Sequence, residues 1–114
     1  MTPNYDALGA AIRTAREARG MSCTDVGNRI CELYPEAEYD PAMMPAWVQL
    51  SEHDPAGMLD HGMVAELAAG IGVSSQEADR WHALAGLVSP DLLEALCANP
   101  GAWDVVRATL AGGV

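Results

Sequence analysis

The stretch from Leu8 to Ile30 constrains the fold most, because it predicts two helices joined by a tight turn. Leu8, Ile12 and Ala15 recur at helical spacing, which predicts one buried face on the first helix. Gly20 is expected to end that helix, since glycine enters the left-handed conformation of a helix C-terminus without a steric penalty. The stretch therefore predicts the opening of an all-α protein.

The second helix of this stretch carries its own start signal. Ser22 is expected to cap it, and Asp25, three residues later, gives an acidic variant of the capping box. Val26 and Ile30 then share the buried face, while Arg29 points outward. Two short helices separated by a glycine turn are typical of a helix-turn-helix protein.

The residues of this segment resemble a known family. Leu8-x-x-x-Ile12-Arg13-x-x-Arg16-Glu17-x-Arg19-Gly20-Met21-Ser22 looks like the start of the lambda-repressor-like, Cro/C1-type (XRE) helix-turn-helix proteins. Residues 63–74 resemble that family's fourth helix and its exit, and residues 84–96 resemble an extension of some members. The resemblance implies a lambda-repressor-like bundle over residues 1–74, with residues 75–114 as a C-terminal helical extension packed on it in a single compact unit.

The remaining helices are predicted from their end signals. Asp6 is a candidate cap for the first helix, Asp60 for one that Gly72 ends, and Ser74 or Ser75 for the next. Residues 53–61 are expected to be a turn-rich connector. The helix after Ser75 should bury Trp81, Leu84, Ala85 and Val88, and Ser89-Pro90-Asp91 should begin another. The chain thus predicts six to seven short helices and no strand.

Composition indicates a single soluble domain. The chain has 114 residues, half of them hydrophobic, which is enough for a helical core without disulfides or metals. Cys23, Cys31 and Cys97 lack CxxC spacing, so reduced thiols in the cytoplasm are expected. No apolar run approaches the length of a membrane helix, so no membrane association is expected.

Charge limits how the chain can bind DNA. The formal net charge is −10, whereas non-specific DNA affinity comes from Lys and Arg neutralising phosphates. Four of the six basic residues lie in the first two helices, and every formally charged side chain between Arg29 and Arg80 is acidic. Phosphate contacts would therefore have to come from the N-terminal part.

A third helix, from Pro41 or Pro45 to about Ser51, stands where the family places its recognition helix. Glu52 falls about where the family has a Glu on that helix. The resemblance implies a transcriptional regulator that binds palindromic operator DNA as a dimer, with the C-terminal helices at the two-fold contact. The DNA contacts it implies are Arg13, Ser22, Cys23, Arg29, Met43, Met44, Ala46 and Gln49. Against this, Met43, Met44 and Trp47 are also the residue types of a core or an interface.

The segment between the second and third helices is longer than in the family. It interleaves acids with tyrosines at Tyr34, Glu36, Glu38, Tyr39 and Asp40. This pattern suits either a solvated insertion or a docking surface for a basic partner. The second interpretation gives the alternative function, an acidic protein-binding module (a DNA mimic, antirepressor or adaptor) that does not bind DNA.

Catalysis and cofactors are not expected. Cys97 with His82 is the only nucleophile and base worth naming, and no orienting acid or oxyanion hole accompanies them. His82 beside Trp81 is expected at the surface or partly packed. His53, Asp54, Asp60 and His61 match no metal motif, so no metal is predicted.

Overall fold

The computed structural model describes residues 3–87 and, beyond them, residues 94, 95, 98, 99, 101, 104 and 105. Between residues 3 and 87 the chain forms six α-helices and one short 3₁₀-helix (Pro35–Ala37), and no strand occurs in the part that is described. The helices are α1 (Tyr5–Ala18), α2 (Cys23–Leu33), α3 (Met44–His53), α4 (Pro55–Met58), α5 (His61–Ile71) and α6 (Ser75–Leu84). The all-α prediction is confirmed for these residues.

The ends of α1 and α2 follow from local hydrogen bonds. Asn4, not Asp6, caps α1: its Oδ1 accepts from the Ala7 backbone N–H at 3.2 Å, while Asp6 lies within the first turn. Gly20 has a φ of 64°, as the turn requires. The capping box of α2 is confirmed, because the Ser22 Oγ accepts from the Asp25 N–H at 3.0 Å and the Asp25 carboxylate accepts from the Ser22 N–H at 2.9 Å.

The later helix ends also match the sequence, with one exception. Asp60 accepts from the Met63 N–H at 3.0 Å, Ser74 accepts from the Glu77 N–H at 3.2 Å, and Gly72 ends α5 with a φ of 87°. The exception is the connector over residues 53–61, which was predicted to be turn-rich. It holds the single-turn helix α4, whose first residue, Pro55, has the φ that a helix start needs.

The core lies where α1, α2, α3, α5 and α6 meet. Ile30 of α2 packs against α5 so closely that a Cβ on Gly70 would lie 2.6 Å from the Ile30 Cγ1. The fully buried side chains are contributed by five helices and are Leu8, Ile12, Val26, Ile30, Val48, Ser51, Val64, Leu67 and Trp81. None of the described helices is long and apolar enough to cross a membrane.

Helix α6 joins this core rather than standing apart. Trp81 is fully buried, and its Nε1–H donates to the Glu77 carboxylate at 2.9 Å. The prediction for His82 is wrong, because its side chain is 2% exposed and its Nδ1 lies 2.8 Å from the Ala78 carbonyl oxygen. Leu84, expected to be buried, is only half-buried. Val88 and the predicted helix start at residues 89–91 lie outside the described residues.

Candidate nucleic-acid interface

A salt bridge between α1 and α3 organises the candidate interface. The Arg16 Nε donates to the Glu52 Oε2 at 2.7 Å, and its Nη2 donates to the Glu52 Oε1 at 3.0 Å. The side chains are only 15% and 5% exposed, so this two-bond contact forms away from bulk water. The hydrogen bond that Arg16 donates to Glu52 raises the pKa of Arg16, although burial acts in the opposite direction.

Cys23 and Ser22, at the start of α2, both form hydrogen bonds within the protein. The Cys23 thiol donates to the Glu52 Oε2 at an S–O distance of 3.8 Å, and burial, followed by the Glu52 charge, raises its pKa. Cys23 is half-buried beside the salt bridge, and its contact with a phosphate stays a prediction. Ser22 is exposed, and although its Oγ accepts the capping bond, its hydroxyl hydrogen remains a possible donor.

Helix α3 has a buried and an exposed face. Met44, Val48 and Ser51 are buried, so the prediction that Met44 contacts bases is wrong. Met44 is held inward by the close approach of α2, where a Cβ on Gly27 would lie 2.8 Å from the Met44 Cβ. The sequence does not determine which of the adjacent residues Met43 and Met44 is buried. Close packing against Gly27 buries Met44 and leaves Met43 exposed.

The exposed face of α3 carries the other predicted contacts. Met43 is 64% exposed, and Ala46 and Gln49 are also at the surface. Leu50, 49% exposed, belongs to the same face but was missed as a candidate. Its spacing of seven residues from Met43 was the available signal, because positions i and i+7 share one side of a helix.

The described cations of α1 and α2 are few. Arg29 on α2 is exposed, and Arg13 on α1 pairs with Glu17 at 2.9 Å, with both side chains more than half exposed. The hydrogen bond with Glu17 raises the pKa of Arg13. Arg19 donates to the Ala15 carbonyl oxygen at 3.1 Å, which completes the C-terminus of α1. These three arginines are the described cationic side chains on α1 and α2 that Glu52 does not neutralise.

The acidic segment between α2 and α3 is packed rather than wholly solvated. Its tyrosine at position 39 stacks on Trp47 of α3, with ring centroids 6.5 Å apart, and its hydroxyl donates to the Glu66 Oε2 on α5 at 2.6 Å. Tyr34 is half-buried, whereas Glu36 and Glu38 are exposed. Asp40 is also exposed, and its Oδ1 accepts from the Ala42 N–H at 3.0 Å, just before α3.

We expect the hydrogen bond between Tyr39 and Glu66 to make stability depend on alkaline pH. This bond, with burial, raises the pKa of Tyr39 from 10.0 to about 12. Between these pH values the unfolded chain loses the phenol proton while the folded protein keeps it, so the free energy of unfolding should fall as pH rises. Urea titrations from pH 10 to 12 should show this fall, and it should be smaller in Tyr39→Phe, where the raised pKa of Cys23 still contributes. An equal fall in both proteins would contradict the assignment.

A metal centre and a cysteine nucleophile are the two other kinds of site that the sequence raises. No group of three or more His, Cys, Asp or Glu side chains that could hold a metal ion occurs among the described residues. Cys97, the proposed nucleophile in the discarded catalytic interpretation, lies outside them. No protein-family model, curated protein or solved structure matches this chain.

Proposed function

We propose that the protein is a DNA-binding transcriptional regulator of the Cro/C1 helix-turn-helix type, which binds operator DNA as a dimer. The observation that carries the proposal is the pairing of α2 and α3, two consecutive short helices packed on each other with exposed outer faces. The salt bridge from Arg16 to Glu52 fixes α3 against α1. A rigidly held exposed helix is what reading a major groove requires.

In this proposal α1 and α2 contact the phosphates, and α3 contacts the bases. Arg29 and Arg13 provide charge for phosphates, and the Ser22 hydroxyl donates to a phosphate oxygen at the start of α2. Gln49 pairs with adenine, and Ala46 contacts a thymine methyl group. Two copies related by a two-fold axis would read half-sites about one helical turn, roughly 34 Å, apart.

The small number of cations sets the expected strength of binding. Each phosphate neutralised contributes a slope of about −0.9 to the dependence of log K on log salt concentration. With Arg13 and Arg29 as the phosphate contacts, the slope per subunit should be shallow, about −2. Non-specific affinity should therefore be weak, and selection of sequence must come from the face of α3.

We expect Arg29→Ala to weaken binding to all duplexes and to reduce the salt slope by about 1. The measurement is fluorescence polarisation of labelled duplexes, a random pool and the DNA upstream of the protein's own gene, between about 50 and 200 mM salt. Arg80→Ala is the matched control, because Arg80 is an equally exposed arginine on α6, paired with Glu77 at 3.1 Å. An Arg29→Ala protein with wild-type affinity and slope, or an equal loss in the control, would contradict the placement of α2 at the phosphates.

A further inference from the structure

The exposed face of α3 is an apolar stripe. Ala46 and Leu50 lie on α3, and Met43, which precedes the helix with a helical backbone, stands three positions before Ala46, so the three residues follow one side of the helix. Met43 and Leu50 are 64% and 49% exposed, and they are two of the most exposed large hydrophobic side chains described. Single exposed apolar residues are ordinary, but a stripe over two helical turns is typical of a surface that packs against another helix.

Acidic side chains stand at both ends of this stripe. Asp40 precedes α3, where its carbonyl oxygen accepts from the Met43 N–H at 3.0 Å, and Asp54 is the residue that ends the helix. A third acidic residue, the exposed Glu38, directly precedes Tyr39 in the chain, and the Tyr39 ring stacks on Trp47 of α3. Between residues 30 and 79 the sequence has no Lys or Arg to balance these charges.

We infer that this apolar stripe is a docking surface for a basic amphipathic helix of a partner protein. The occupant is fixed by charge complementarity: its apolar side would cover Met43, Ala46 and Leu50, and its Lys or Arg side chains would reach Asp40, Glu38 and Asp54. The inference goes beyond the proposed function. Since both ligands use the exposed face of α3, the partner and operator DNA exclude each other, and the partner thereby controls DNA binding.

The test uses a fluorescein-labelled synthetic helix with leucines on one face and lysines on the other, titrated with the full-length protein. Leu50→Glu and Met43→Glu should each weaken its binding at least ten-fold. Ala10→Glu is the control, because it adds the same charge at an exposed position of α1 and should leave affinity unchanged. Leu50→Ala should cause a smaller loss without adding charge, and circular dichroism confirms that each variant is folded.

Three results would overturn the inference. The first is no binding of the peptide to the wild-type protein. The second is equal binding by wild type and Leu50→Ala, which would indicate charge attraction alone. The third is equal binding of a matched peptide in which glutamate replaces lysine. Addition of unlabelled operator duplex separates the two proposals. Displacement of the peptide by the duplex supports both of them. A protein that binds the peptide but no DNA supports the docking surface and overturns the proposed function as a DNA-binding regulator.

Discussion

Arg16→Ala is expected to lower the free energy of unfolding by about 3 kcal/mol, because it leaves the Glu52 carboxylate buried without its cation. Glu52 is 5% exposed in the intact pair, so water cannot readily replace the two lost hydrogen bonds. The substitution also removes the donor to the Met21 carbonyl oxygen at 3.0 Å. Urea denaturation followed by circular dichroism measures the loss.

Two comparisons test whether the loss of stability in Arg16→Ala depends on the burial of its salt bridge with Glu52. Arg13→Ala removes an equally charged residue from α1, but its pair with Glu17 is exposed, so the midpoint of unfolding should hardly change. The double variant Arg16→Met with Glu52→Leu should recover much of the loss, because an apolar pair needs no compensation for desolvation. A loss in Arg16→Ala no larger than that in Arg13→Ala would show that the buried salt bridge does not stabilise the contact of α1 with α3.

Gly9→Ala should cause a comparable loss, also of about 3 kcal/mol, because α1 and α3 leave no room for a side chain at Gly9. A Cβ at this position would overlap the backbone carbonyl oxygen of Glu52 and come within 3.4 Å of the Pro55 Cγ. The obstacle is mainly backbone, which cannot rotate aside as a flexible side chain would. The helices would have to separate, and the buried contacts around Leu8 and Val48 would loosen with them.

The control for Gly9→Ala is Gly62→Ala in the first turn of α5. Gly62 is exposed, and its nearest atom outside the local backbone is the Asp60 Oδ1 at 3.4 Å, so the change should be within about 0.5 kcal/mol. Both variants are compared by thermal and urea unfolding. A Gly9→Ala protein as stable as the wild type would contradict the close contact between α1 and the C-terminal end of α3.

The sequence predicted the elements whose signals are local. Ser22, Asp60 and Ser74 each accept a backbone N–H three residues onward, so their neighbours alone determine the helix start. Gly20 and Gly72 end helices for an equally local reason, their left-handed backbone. The assignment to the all-α class followed directly from these signals and from the helical spacing of apolar residues.

Contacts between distant residues could not be predicted in this way. The partners Arg16 and Glu52 are separated by 36 positions, and Tyr39 and Glu66 by 27, so no local pattern pairs them. Met44 shows the same limit at the candidate interface: Met43 and Met44 are identical in type, and only the approach of Gly27 makes one of them buried. Asn4 and Asp6 can both cap a helix, so their residue types do not predict that Asn4 is the one that caps α1.

The most direct test of the proposed function is a titration of the ¹⁵N-labelled protein with short duplex DNA, followed by amide chemical shifts, at about 50 mM salt. We expect shift changes concentrated at the start of α2, around Ser22, at Arg29, and on the exposed face of α3 with Met43 before it, all reversed by raising the salt concentration. Unchanged spectra, or changes confined to α6, would contradict DNA binding by α2 and α3.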